Sequence, residues 1–136
     1  MIRPIMQDVF FLSQPSVKAT AKDKNVARNL LDTLQANADR CVGMAANMIG
    51  VSKRIIVFND GRRNLLMYNP VIIGRKGAYT AEEGCLSLPG TRATTRYQEI
   101  TVVYQDEKMH QQKESFQGFV AQIIQHECDH LEGIII

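Results

Sequence analysis

The chain has almost no net charge to offer a partner: 16 basic against 14 acidic residues leave a formal +2 over 136 residues. No run of Lys or Arg stands out, so the balance excludes binding to nucleic acid through charge alone. Long apolar runs are missing too. The patch Val9-Phe10-Phe11-Leu12 is preceded by Arg3 and Asp8, which leaves neither a signal-peptide core nor a membrane-length segment. Cysteine is scarce, three residues and an odd number. A disulfide framework is thereby excluded, and the expected setting is the reducing cytoplasm, with the thiols serving as ligands or core. Repeats and low-complexity segments are absent.

What is present suits one soluble domain over residues 1–136: 45% hydrophobic and 22% charged residues at a length that buries a core without staples. Residues 1–20 read as irregular, broken by Pro4 and Pro15. Val26, Ala27, Leu30, Leu31 and Leu34 recur at helical spacing between about Asp23 and Ala38, with Thr20 or Asp23 as the cap. Strands are expected at Lys53–Phe58, Leu65–Tyr68, Val71–Ile73, Tyr79–Glu82, Glu99–Gln105 and Met109–Phe116, separated by the turn residues Asn59-Asp60-Gly61, Asn69-Pro70, Gly74, Gly77 and Asp106-Glu107-Lys108. A last helix covers about Phe119–Leu131, with Gly133 as its stop. Hairpin-sized gaps give an α+β fold, short and mainly antiparallel strands around a central C-terminal helix.

That helix carries the most informative stretch, Gln125-His126-Glu127-Cys128-Asp129-His130. A helix turns about 100° per residue, so His126 and His130 stand about 40° apart around the axis. Two imidazoles one turn apart can share a metal ion, and Glu127 between them in sequence is placed to act on water at that ion. The plain alternative is a helix with two histidines and a solvated glutamate. Phe119, Gln122, Ile123, His126 and His130 share a face, and Val120, Ile124 and Leu131 lie on the next. A helix apolar over two faces is a buried scaffold. The third ligand is sought in Glu82-Glu83-Gly84-Cys85-Leu86-Ser87-Leu88-Pro89-Gly90. A thiolate from Cys85 with two imidazoles makes an open three-ligand site of the catalytic kind, whereas a free cysteine by itself is more often a small core residue.

Taken together, Glu83-Gly84-Cys85-Leu86-Ser87 and Gln125-His126-Glu127-Cys128-Asp129-His130 resemble two motifs of the peptide deformylases, metal-dependent hydrolases that remove the N-formyl group from new bacterial polypeptides. The resemblance runs over nearly the whole chain. It implies Cys85, His126 and His130 as ligands of one divalent ion, Fe(II) natively, with Zn, Ni or Co able to substitute. It implies Glu127 as the proton-transferring residue, the Leu86 N–H as an oxyanion donor and Glu83 as a carboxylate anchoring the site. Gly43 would offer backbone hydrogen bonds to substrate. Val42, Phe119, Gln122 and Ile123 would wall a pocket for the methionine side chain. Arg92 or Arg96 would either meet the substrate backbone or be surface charges. The implied partners are N-formylated nascent peptides, with no membrane and no nucleic acid.

A third family motif, Gly-apolar-Gly-apolar-Ala-Ala-x-Gln, matches at Gly43, Ala45 and Ala46 but departs at Cys41 and Met48. Met48 stands at the glutamine position, and a thioether cannot donate a hydrogen bond. Asn47 is the neighbouring amide that could take over. Longer relatives continue beyond the metal helix, so ribosome docking by such an extension is not carried over. Two other readings are a relative that binds metal or peptide with little turnover, and another His-Glu-x-x-His hydrolase such as a peptidase, which would lack its usual downstream ligand.

Overall fold

The computed structural model describes residues 1–135. Its strands are β1 (Gly43–Ala45), β2 (Ile55–Asn59), β3 (Asn64–Cys85), β4 (Leu88–Gln105) and β5 (Gln111–Gln117). They form one antiparallel sheet in the order β1-β2-β3-β4-β5. Helices α1 (Val9–Leu12), α2 (Lys24–Ala36) and α3 (Gly118–Leu131) complete the fold. The α+β expectation therefore holds, its antiparallel strands joined in one sheet.

Strand β2 shows how the layers form. Ile55, Ile56, Val57 and Phe58 are all fully buried, and alternate residues of a strand point to opposite faces. Ile56 and Phe58 join Met67, Ile100, Val102, Ala121, Ile124 and Leu131 in a cluster under α3. Ile55 and Val57 join Ala27, Leu30, Leu34, Met44 and Met48 in a cluster under α2. The sheet thus packs a helix on each side. Gln125 of α3 is polar but also tied down: its amide accepts from the Tyr97 N–H and donates to the Tyr97 carbonyl, both at 2.9 Å. That explains why Gln125 is buried.

Several boundaries differ from the sequence reading. Residues 9–12 form a short helix because the Asp8 carboxylate accepts from the Phe10 and Phe11 N–H groups. Ahead of α2, a 3-10 turn at Ala21–Asp23 is closed by a Thr20/Asp23 capping box. The three strands expected between Leu65 and Glu82 are one strand, β3. Asn69-Pro70 and Gly74 are absorbed as register shifts against β4, not as turns. Asn69 takes a positive φ of 53° and repays it by bonding Ala19 and Gln105 through its side chain. Strand β4 begins at Leu88, eleven residues before the expected Glu99, because residues 88–98 continue the ladder from the Cys85–Leu88 turn. This hairpin, β3-turn-β4, is what delivers Cys85 to α3.

Candidate active site

Cys85, His126 and His130 each offer a ligand atom, and these atoms lie within 4.8 Å of one another. The helix supplies two of them by spacing, and the end of β3 supplies the third. The two imidazole Nε2 atoms are 3.0 Å apart. The Ser87 N–H donates to Cys85 Sγ at 3.4 Å, holding the sulfur in the turn. A cysteine sulfur and two imidazole nitrogens, with no fourth protein donor grouped with them among the described residues, make a set suited to a divalent transition metal with one position open to substrate.

Behind His126 lies a buried ionic network. Its Nδ1 meets Glu83 Oε1 at 2.7 Å. Glu83 also receives Arg96 Nη2 at 2.7 Å, both of its oxygens lie near Arg96 Nε, and Oε2 takes Gln122 Nε2 at 2.8 Å. Arg96 Nη1 goes on to Asp129 Oδ2 at 2.7 Å. Burial raises the Glu83 pKa, but the bonds from His126, Arg96 and Gln122 outweigh it and hold the carboxyl at about 2. An ionised Glu83 makes Nδ1 the protonated nitrogen of His126 and leaves the Nε2 lone pair for an ion. Burial lowers the His126 pKa, yet bonds to Cys85 and Glu83 push it up to about 10 while no ion is bound, so an ion taking Nε2 would displace the proton there. Burial and then the neighbouring His126 push His130 down to about 3.

Glu127 is the other buried carboxylate. Its Oε1 is enclosed and has no hydrogen-bond partner, and burial raises its pKa to about 7. Close approach between α3 and β1 puts it there. A Cβ on Gly43 would lie 2.7 Å from Ile123 Cγ2 and 2.9 Å from Glu127 Oε2, so only glycine lets the helix sit this near the strand.

A cavity of about 450 Å³ opens onto this group. Of the residues picked from the sequence, Val42, Gly43, Cys85, Leu86, Phe119, Gln122, Ile123, His126 and Glu127 line it. His130 completes the metal-ligand cluster. Arg92 does not line it; it lies half-buried on β4 opposite Glu83, with Nη1 enclosed and unpaired. Arg96 is neither a surface charge nor free for substrate, being buried in its two ion pairs. Cys41 and Met48, the two departures from the family motif, both line the cavity. Asn47 does not: its amide donates to the His130 carbonyl at 2.9 Å. The sequence reading missed Arg40, Glu82, Leu88 and Gly90 as lining residues. Only their nearness to the three motifs could have pointed to them.

A buried carboxylate beside a thiolate-and-two-imidazole cluster, at the floor of a cleft and on a helix packed against an antiparallel sheet, defines the class of metal-dependent hydrolases. Residues 3–136 match the family model described as polypeptide deformylase. The chain is 54% identical to a peptide deformylase of Clostridium beijerinckii, with all of both chains covered. Among solved structures, the peptide deformylase of Thermotoga maritima superposes with a TM-score of 0.90 at 28% identity, covering 99% of this chain and 95% of that one. A class I type b peptide deformylase from Acinetobacter baumannii, crystallised with Met-Ala-Ser bound, gives 0.89 at 28% identity, covering 99% and 97%. The chain belongs to the polypeptide deformylase family.

Proposed function

We propose that this chain hydrolyses the N-formyl group of formyl-methionyl nascent peptides in the cytoplasm, with Cys85, His126 and His130 holding one divalent ion, natively Fe(II) and replaceable by Zn, Ni or Co. The observation that carries the reading is the Cys85–His126–His130 cluster lying beside a partnerless buried Glu127 oxygen. A divalent ion held there by Cys85, His126 and His130 would supply Lewis acidity and lower the pKa of water toward neutral. Glu127, with a pKa of about 7, takes up a proton at its free Oε1 and returns it to the departing amine. The Leu86 N–H stabilises the negative oxygen formed from the formyl carbonyl. Gly43 meets the substrate backbone along the β1 edge, and Val42, Phe119, Gln122 and Ile123 wall the cavity that takes the first side chain. Arg92 reaches substrate from outside this cavity. The Met-Ala-Ser bound to the Acinetobacter relative is consistent with such an occupant. No described helix is long and apolar enough to cross a membrane.

Steady-state hydrolysis of a formyl-Met peptide under anaerobic Fe(II) loading tests the reading; a rate no higher than without protein would end it. Cys85→Ala should bind metal at least ~10-fold more weakly, since the thiolate is one of three donors. Metal analysis showing full occupancy at unchanged affinity would remove Cys85 from the site. Substrate choice gives a second check. Val42, Phe119, Ile123 and Met48 give the cavity an uncharged wall; Arg40, Glu82 and Glu83 also line it, Glu83 in its ionised form. A formyl-Asp peptide would bury an unpaired charge, and its kcat/KM should fall at least ~100-fold below that of formyl-Met. Equal values would mean that the wall is misplaced.

A further inference from the structure

We propose that Tyr79 and Gln122 are positioning residues for the metal-binding nitrogen of His126, forming an arm of hydrogen bonds that enters the Glu83 network from the cavity side. The inference rests on the proposed function and adds two residues to it.

The arm has three links. The Tyr79 hydroxyl donates to Gln122 Oε1 at 3.2 Å. Gln122 Nε2 donates to Glu83 Oε2 at 2.8 Å. Glu83 Oε1 receives His126 Nδ1 at 2.7 Å. The sequence arranges this by two matched spacings. Tyr79 and Glu83 are four residues apart on β3, hence on one face of the strand. Gln122 and His126 are four apart on α3, hence one above the other on one face of the helix. Gln122 therefore reaches Glu83 Oε2 from α3, while Arg96 reaches the same carboxylate from β4.

Arg96 grips Glu83 from its own side only: Nε lies 3.1 and 3.0 Å from the two oxygens, and Nη2 lies on Oε1. Oε2 has one further donor, Gln122. Without it, rotation of the carboxylate about its last torsion, a broad and soft one, would swing Oε1 away from His126 Nδ1. Tyr79 in turn satisfies the Gln122 carbonyl, which would otherwise be a bare acceptor at the cavity wall. With both ends of its amide taken, Gln122 offers the cavity its aliphatic stem. Beside Val42, Phe119 and Ile123, Gln122 is thus reconciled with a pocket for an apolar side chain, and its polar end serves the metal site.

The test uses the whole protein, its Tyr79→Phe variant and its Gln122→Leu variant. Each is stripped of metal and titrated with Zn(II) against a chromogenic chelator, Co(II) absorption is recorded, and kcat and KM are measured on a formyl-Met peptide. Outer-shell partners of a ligating histidine typically control metal affinity by about 10–100-fold, so Gln122→Leu should weaken Zn(II) binding by ~10-fold and Tyr79→Phe by about 3-fold. The Co(II) bands should move in both variants. The kcat should fall, with KM within about twofold, because leucine keeps the apolar stem of the wall. Unchanged Zn(II) affinity and Co(II) spectrum in both variants, whatever happens to KM, would make Gln122 a wall alone and overturn the proposal. If Gln122→Leu fails to fold, Tyr79→Phe decides by the same two readouts, since it removes one hydroxyl from a half-buried ring. A parent protein that binds no Zn(II) or leaves the formyl peptide intact would overturn the proposed function itself, an outcome visible before either variant is measured.

Discussion

Glu127→Gln is expected to retain the ion and lose turnover by ~10³-fold, within the range that a positioned acid-base group contributes. The substitution keeps the length of the side chain and its buried position on α3, so the cluster of Cys85, His126 and His130 stays assembled. What it removes is the one buried carboxyl oxygen left without a partner beside that cluster. Kinetics and metal analysis on the same preparation check both halves, and turnover within a few-fold of the parent would assign the proton transfer elsewhere. Stability supplies an independent sign. In the metal-free protein, burial raises the Glu127 pKa from 4.5 to about 7. The folded state then binds more protons than the unfolded state between those values, so this group's contribution to stability falls as pH rises through that window. A displacement of that size corresponds to about 3 kcal/mol. Glutamine cannot ionise, so the metal-free variant should be more resistant to urea than the metal-free parent at pH 8 and nearly equal to it at pH 4.5. The same result would show that the parent gives up stability to hold a carboxylate where the reaction uses it. Equal urea midpoints at pH 8 would contradict the raised pKa.

Much of this site was legible in the chain because it depends on local spacing. His126 and His130 share a helix face whatever the rest of the fold does, and Gly84-Cys85 needed only a turn to reach them. Elements that depend on distant partners were not legible. Asn69-Pro70 and Gly74 carry strong turn signals, yet pairing with β4 over its whole length overrides them and turns each into a register shift. The polar run Thr91–Thr95 has no apolar alternation to mark a strand, and only the ladder to β3 makes it one. Arg96 follows that run directly, with nothing in its sequence neighbourhood to show that Glu83 and Asp129 would bury it between them. Gln122 was expected on a pocket wall and lines the cavity, but its two amide bonds became visible only with β3 and α3 together.

Met48→Gln is expected to raise kcat by about 100-fold while leaving KM within a few-fold. Met48 is 1% exposed and lines the cavity from the 3-10 turn Ala46–Ile49, where the family motif has a glutamine. Its thioether has no proton to donate, and loss of one oxyanion donor elsewhere costs about 10²–10³ in rate. Asn47 does not compensate, since its amide is spent on the His130 carbonyl, which ties the end of α3 to this turn. Cys41 does not either: its thiol donates to the Gly43 carbonyl at 2.8 Å, and burial pushes its pKa up to about 12. Under the proposed function the Leu86 N–H and the ion would still serve the oxyanion, so the parent should be slow and not inactive. Glutamine matches methionine in length, so the backbone bond from the Met6 N–H to the residue 48 carbonyl, 2.7 Å long, need not move. The gain belongs to kcat because the amide bonds an oxygen whose charge exists only in the transition state. Before substrate arrives, that amide is buried without a partner, at a cost of about 1–3 kcal/mol. A faster and less stable enzyme is therefore the expected pair of changes, read by steady-state kinetics and urea unfolding. If stability falls without a gain in kcat, the oxyanion is already fully served and the methionine is no deficit.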